Sequence, residues 1–251
     1  MEPRSAPKMQ RVYWVRQCRL AEAFPATADA LEDPNGLLAI GGDLSTTMLC
    51  NAYKRGIFPW YSDGQPILWW APDPRCALNP SQRHASRSLR RAIRRESFEI
   101  SFDMAFESVV DSCRAPRRDQ SGTWITDEMR EAYLSLHRNN IAHSIECWRG
   151  SELAGGLYGV SVGGAFFGES MFSNVSNASK ATFVALCDKL SAWGYTLFDC
   201  QIPTSHLESL GAETMTRRDF ETRLAAAIQQ TPSARAWTDE RFRPQLDKNI
   251  D

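Results

Sequence analysis

Residues 163–201, GGAFFGESMFSNVSNASKATFVALCDKLSAWGYTLFDCQ, constrain the fold more than any other stretch of the chain. Two short apolar runs, FFGESMF and TLFDCQ, read as strands, and a helix-patterned segment between Asn177 and Gly194 joins them. A crossover helix of that kind brings its two strands side by side in one sheet. Each run also carries a carboxylate, Glu169 in the first and Asp199 in the second. A carboxylate in an apolar strand loses hydration, so it must be paired, hydrogen-bonded or shifted in pKa. Chemistry is therefore expected where these two strands meet.

The flanking patterns extend the same domain. Residues 144–148 and 153–162 alternate like strands around the Arg149-Gly150-Ser151-Glu152 turn, and Gly163-Gly164 turns the chain into a third strand over 165–173. Upstream, residues 67–78 (ILWWAPDPRCAL) read as one strand kinked by Pro72-Asp73-Pro74, followed by a basic helix, a strand at 98–102 and helices over 105–113 and 126–138. Downstream come a strand at 195–201, a short helix at 206–210, a strand at 213–217 and a helix at 219–229. Nearer the start, Ser45 is a natural N-cap for a helix ended by Gly56. We expect an α+β protein in four parts: a loose extension at 1–20, a small N-terminal domain at 21–72, a larger domain at 73–232 and a C-terminal tail at 233–251. The small domain is too short to be stable without docking on its neighbour. The element order of the larger domain is similar to the GNAT acyltransferase fold, with a mixed, mostly antiparallel sheet.

Composition removes several classes. No apolar run approaches membrane-spanning length, and the N-terminus has no apolar block or small-residue cleavage site, so no membrane partner is expected. Seven cysteines without CxxC spacing indicate reduced thiols rather than a disulfide framework, and the four histidines show no metal-ligand spacing. His137 and His143 are expected to be structural. No long apolar stripe demands a partner subunit, which points to a monomer. The net charge is −1, yet SQRHASRSLRRAIRR (81–95) holds Arg83, Arg87, Arg90, Arg91, Arg94 and Arg95 and no acid. On a helix these arginines cover one broad side and leave Leu89 and Ile93 for the core. Such a face either is simply solvated or binds phosphates.

The runs PNGLLAIGGDLS, AYKRGIFPW, ILWWAPDPR, GTWIT, AHSIECWR, GGLYGV, GESMFS, NASK, DCQ and HLESLGA, in that order from about residue 24 to 220, resemble the leucyl/phenylalanyl-tRNA–protein transferase family. The ends of the chain show no such likeness. The resemblance implies a cytoplasmic bacterial enzyme with an N-terminal domain and a GNAT-like domain, using no metal and no organic cofactor. Its substrates would be Leu-tRNA or Phe-tRNA, with Met a weaker donor, and proteins beginning with Arg or Lys, which the transfer marks for N-end rule degradation.

The residues are compatible with that chemistry. An aminoacyl ester is already activated, so the enzyme must position an amine, remove one proton and stabilise an oxyanion. Strand alternation puts Asp199 and Gln201 on one side and Cys200 on the other. Asp199 is expected to orient Gln201 and the amine, and the Gln201 carbonyl to hold an amine N–H; a carboxylate–amide pair closing a strand end is the structural alternative. Glu169 would join that site or bind the donor's α-ammonium, a salt bridge to an arginine being the plainer role. The resemblance further implies an apolar donor pocket around Leu157, Phe166, Gly168, Glu169, Ser170, Leu186 and Phe198. It also brings in Tyr53, Trp60, Trp124 and Tyr133, of which Trp60 and Trp124 suit stacking on a terminal adenosine, with domain-interface packing as the alternative. Arg83, Arg87, Arg90, Arg91 and Arg94 would contact tRNA phosphates. Two other classes share parts of the pattern. An acyl-CoA-dependent N-acyltransferase would want a Gly-rich loop where SNVSNASKAT stands, and a non-catalytic RNA-binding protein would not need Asp199 and Gln201.

Overall fold

The computed structural model describes residues 12–15, 24–115, 125–238 and 241–244. The elements in chain order are β1 (Tyr13–Val15), β2 (Leu37–Gly41), α1 (Thr46–Tyr53), β3 (Phe58–Pro59), β4 (Leu68–Trp70), β5 (Arg75–Leu78), α2 (Arg87–Glu96), β6 (Glu99–Phe102), α3 (Phe106–Arg114), α4 (Asp127–Arg138), β7 (Ala142–Arg149), β8 (Glu152–Val162), β9 (Ala165–Ser173), α5 (Ala178–Trp193), β10 (Leu197–Gln201), α6 (Ser205–Glu208), β11 (Glu213–Met215) and α7 (Arg217–Ala227). Ser45 caps α1 by accepting from the Met48 N–H, and Thr126 caps α4 by accepting from the Met129 N–H. Each such cap is worth about 1 kcal/mol. Gly194, at φ 90°, ends α5 in the left-handed conformation that only glycine adopts cheaply.

Two mixed sheets result. The small one has the order β1-β2-β4-β3, and the large one runs β11-β5-β10-β9-β8-β7-β6. Within the large sheet every neighbouring pair is antiparallel except β9 and β10, which the α5 crossover makes parallel. The strand read over 67–78 is in fact two strands in different sheets, β4 in the small one and β5 in the large one. Pro72 and Pro74 cannot donate to a ladder, so the pairing ends there and the chain changes sheets. Gly36 lies against this corner: a Cβ on it would stand 2.5 Å from the Pro72 Cα.

One apolar cluster joins the small sheet to the large one. Tyr53 of α1, Phe58 of β3 and Trp69 of β4 share it with Tyr133 of α4, Tyr158 of β8, Phe167 of β9 and Phe220 of α7. The other cluster contains Leu89, Leu157, Phe166, Leu186 and Phe198 beneath α5. Part of the C-terminal tail also packs here. Trp237 stacks on His143 with centroids 4.2 Å apart, and Phe242 exchanges two backbone hydrogen bonds with Ile100. Among the described residues no helix is long and apolar enough to cross a membrane.

Candidate active site

β9 and β10 bring the two strand carboxylates together, and a bulge in each strand aims the groups that meet. Along β8–β9, Tyr158 pairs with Ser170 and Gly159 with Gly168, so Glu169 is the extra residue between them. Along β10–β5, Asp199 pairs with Ala77 and Gln201 with Cys76, leaving Cys200 unpaired, and Gln201 takes φ 63°. Bulges re-aim side chains and recur beside active sites. The simple alternation expected from Asp199 to Gln201 is therefore broken. Opposite the first bulge, Gly159 is required by close approach, since a Cβ there would lie 2.2 Å from the Phe167 carbonyl oxygen.

Asp199 is fully buried and held by Arg75, itself only 1% exposed. Arg75 Nε donates to Asp199 Oδ1 at 2.9 Å and Nη2 donates to Oδ2 at 2.6 Å. The guanidinium lies between the Phe58 ring, at 4.8 Å, and the Phe220 ring, at 4.5 Å. Planar, bidentate pairing suits an arginine in an apolar sandwich better than it would a lysine. Asp199 Oδ1 also accepts the Gln201 backbone N–H at 2.9 Å. Asp199 thus grips the Gln201 backbone, while its charge partner is Arg75, the last residue of the run ILWWAPDPR, to which the sequence reading gave no role of its own.

The side chain of Gln201 reaches Glu169 instead. Gln201 Nε2 donates to Glu169 Oε1 at 3.1 Å, and Tyr133 Oη donates to Glu169 Oε2 at 2.5 Å. Tyr53 and Tyr133 hydroxyl oxygens are 2.9 Å apart; because the Tyr133 proton is directed to Glu169, Tyr53 is the donor of that pair. Burial pushes the Glu169 carboxyl up to about 7, against the lowering effect of the tyrosine hydroxyls. The residue as a whole is only half-buried, so the carboxyl combines a dry surrounding with access from outside. Burial, and after it the neighbouring Glu169 charge, push the hydroxyls of Tyr53, Tyr133 and Tyr158 well up, so all three remain protonated donors. The partners of Glu169 are a tyrosine and an amide, not the arginine that was its plainer alternative.

The other expected residues divide. Leu157, Phe166, Leu186 and Phe198 are buried in the cluster beneath α5, and Phe166 packs edge-on against Phe198 at 5.4 Å. They meet the site at Gly168, where a Cβ would stand 2.8 Å from the Phe198 ring. Ser170 is half-buried on β9. Tyr53 and Tyr133 are fully buried and present no open ring face. Trp60 is 43% exposed, edge-on to Trp70, whose Nε1 donates to the Trp60 carbonyl at 2.6 Å. Trp124 lies outside the described residues.

Arg87, Arg90, Arg91, Arg94 and Arg95 lie on α2, with Leu89 and Ile93 buried beneath it. Arg83 does not belong to that helix: it follows a short 3-10 turn over Pro80–Gln82. It donates through Nε and Nη2 to Asp188 of α5 at 2.7 and 2.9 Å. Pro80 and the Ser86 cap separate it from α2, and its charge is engaged within the fold.

Comparison with known proteins shows the family of the chain. The family model for leucyl/phenylalanyl-tRNA protein transferase matches residues 77–225, and the model for its N-terminal domain matches residues 42–73. Among similar proteins named leucyl/phenylalanyl-tRNA–protein transferase, one from Pseudomonas entomophila is 55% identical over 214 residues, covering 85% of this chain and 94% of that protein. One from Alkalilimnicola ehrlichii is 50% identical over 221 residues, covering 88% and 86% of the two chains. The solved structure of L-PGS from Bacillus licheniformis aligns with a TM-score of 0.39 and 12% identity over 67% of this chain and 53% of that one, too slight a likeness to bear on the fold. On the family matches and the identities alike, the chain belongs to the leucyl/phenylalanyl-tRNA protein transferase family.

Proposed function

We propose that this protein is a cytoplasmic, monomeric aminoacyltransferase that moves Leu or Phe from an aminoacyl-tRNA to the α-amine of an N-terminal Arg or Lys on an acceptor protein. The observation that carries the mechanism is the linked set Arg75–Asp199–Gln201–Glu169–Tyr133 at the paired bulges. On this reading the larger domain works as a GNAT-like acyltransferase.

Each group then has a distinct task. Asp199 is fully buried and paired with Arg75, so it acts by fixing the Gln201 backbone rather than by touching the amine. Gln201 Nε2 donates to Glu169, which turns the amide oxygen toward the remaining side, ready to accept an amine N–H. An acceptor α-amine has a reference pKa of about 8. Glu169, at about 7, is close enough in pKa to take the proton near neutral pH. Nitrogen attacks the ester carbon, the carbon–oxygen bond to the ribose breaks as the amide forms, and the amine proton ends on the departing ribose oxygen. Leu157, Phe166, Leu186 and Phe198 supply the apolar surroundings for the donor side chain, bounded by Gly168 and Ser170. A pocket of this type discriminates one methylene by only about 1–3 kcal/mol, which fits weak use of Met.

Trp60 stacks on the terminal adenosine in this scheme, with Trp124 as its second face. The α2 arginines Arg87, Arg90, Arg91 and Arg94 contact acceptor-stem phosphates without reading bases. The decisive experiment incubates radiolabelled Leu-tRNA with an Arg-N-terminal peptide and the purified protein, without ATP. Label in the peptide, and none when the peptide N-terminus is blocked, is the expected result; no transfer overturns the reading. Replacing Arg87, Arg90 and Arg91 together by Ala should weaken tRNA binding. It should also flatten the salt dependence by about 0.9 in log–log slope for each phosphate that is no longer neutralised.

A further inference from the structure

Tyr158 is fully buried on β8, and its hydroxyl has no hydrogen-bond partner among the described residues. It belongs to the same cluster as the proposed site. Its ring packs edge-on against Tyr133 with centroids 5.2 Å apart, and Tyr133 donates to Glu169. It is also the last paired residue before the bulge that carries Glu169. A buried, unpaired hydroxyl costs about 1–3 kcal/mol of desolvation, and native interiors rarely leave one without reason. The hydroxyls of Tyr53 and Tyr133 are already committed, one to the other and that one to the carboxylate. Of these three tyrosine hydroxyls, that of Tyr158 alone has no hydrogen-bond partner among the described residues. An anionic carboxylate, aromatic rings and an open hydroxyl oxygen together are the chemistry that recognises a primary ammonium.

We propose that Tyr158 is a positioning residue of an ammonium-binding site, its hydroxyl oxygen accepting an N–H from a substrate ammonium that Glu169 neutralises. This rests on the aminoacyl-transfer reading above. Both substrates carry the chemistry: the acceptor through its terminal α-ammonium, the donor through the α-ammonium of its esterified amino acid.

The test compares Tyr158→Phe and Glu169→Gln in the full-length protein. Tyr158→Phe removes an unsatisfied polar atom, so its denaturation midpoint should equal or exceed that of the wild type, whereas kcat/KM for transfer should fall about tenfold. Two arms then identify the ammonium. A rise in KM for the Arg-N-terminal peptide, with donor use unchanged, assigns the acceptor. A shrunken preference for leucyl-tRNA over its α-hydroxy analogue, with peptide KM unchanged, assigns the donor. The proposal is overturned if Tyr158→Phe loses stability, which would mean its hydroxyl is satisfied structurally, or if neither kinetic arm moves. Wild-type transfer by Glu169→Gln as well would remove the underlying reading of the site; impaired Glu169→Gln with unaffected Tyr158→Phe removes only the role of Tyr158.

Discussion

Glu146 and Glu169 both lie on central strands of the large sheet, and their surroundings differ in completeness. Glu146, on β7, is fully buried. It accepts from the hydroxyls of Ser101 and Ser144 and from the Ala105 N–H, and Trp148 Nε1 in turn donates to Ser101 Oγ at 2.8 Å. Nearby, Asp103 accepts the Ser144 N–H and lies 2.7 Å from His143 Nδ1. Every member of that network has its partner. Glu169 is also hydrogen-bonded through both oxygens, but it stands on a bulge, remains half-buried and is next in register to the Tyr158–Ser170 pair, whose tyrosine hydroxyl has no partner among the described residues. A closed polar network specifies a core, whereas an incomplete one beside an opening is suited to a ligand. Burial raises both carboxyls, so a shifted pKa does not distinguish them; the unfilled hydrogen-bonding capacity does.

The largest effect should come from Asp199→Asn. It leaves the buried Arg75 charge without its counter-ion, and we expect a loss of about 3–5 kcal/mol in chemical denaturation together with loss of transfer. A stable, active variant would show that neither the fold nor the open site depends on this ion pair. Next, Glu169→Gln should reduce transfer by about 10²-fold or more, measured as kcat per folded molecule. Its stability should also respond differently to pH. The folded Glu169 pKa, about 7, lies above the unfolded value of about 4.3, so the folded protein binds its proton more tightly. The stabilisation from that proton is fully present below about pH 4.3 and is lost as pH rises through about 7. Denaturation midpoints across that window should fall less steeply in Glu169→Gln than in the wild type, and the rise of transfer rate near neutral pH should disappear.

Glu146→Gln should invert this pattern. Its closed shell predicts a cost of about 1–3 kcal/mol with unchanged activity per folded molecule. Altered kinetics there would erase the distinction between the two glutamates. The smallest pair sharpens it: Ser101→Ala and Tyr53→Phe each remove one outer hydroxyl and should each cost about 1 kcal/mol. Only Tyr53→Phe should shift the pH dependence of transfer, because its hydroxyl pairs with Tyr133 and helps to hold the Glu169 pKa down.

The sequence alone determined the element order from α2 onward, the capping of α1 and α4, the strand–helix–strand unit that carries Glu169 and Asp199, and the family motifs, but not the strands β1, β2 and β3 of the small sheet. Those signals are local, written in hydrophobic period and turn residues. Tertiary structure decided the sheet change at Pro72–Pro74, the pairing of Arg75 with Asp199, the diversion of Arg83 to Asp188 and the open hydroxyl of Tyr158. Arg75 and Asp199 are 124 positions apart, so no local pattern could join them. The two bulges are properties of register between strands, visible only once β8 lies against β9 and β5 against β10.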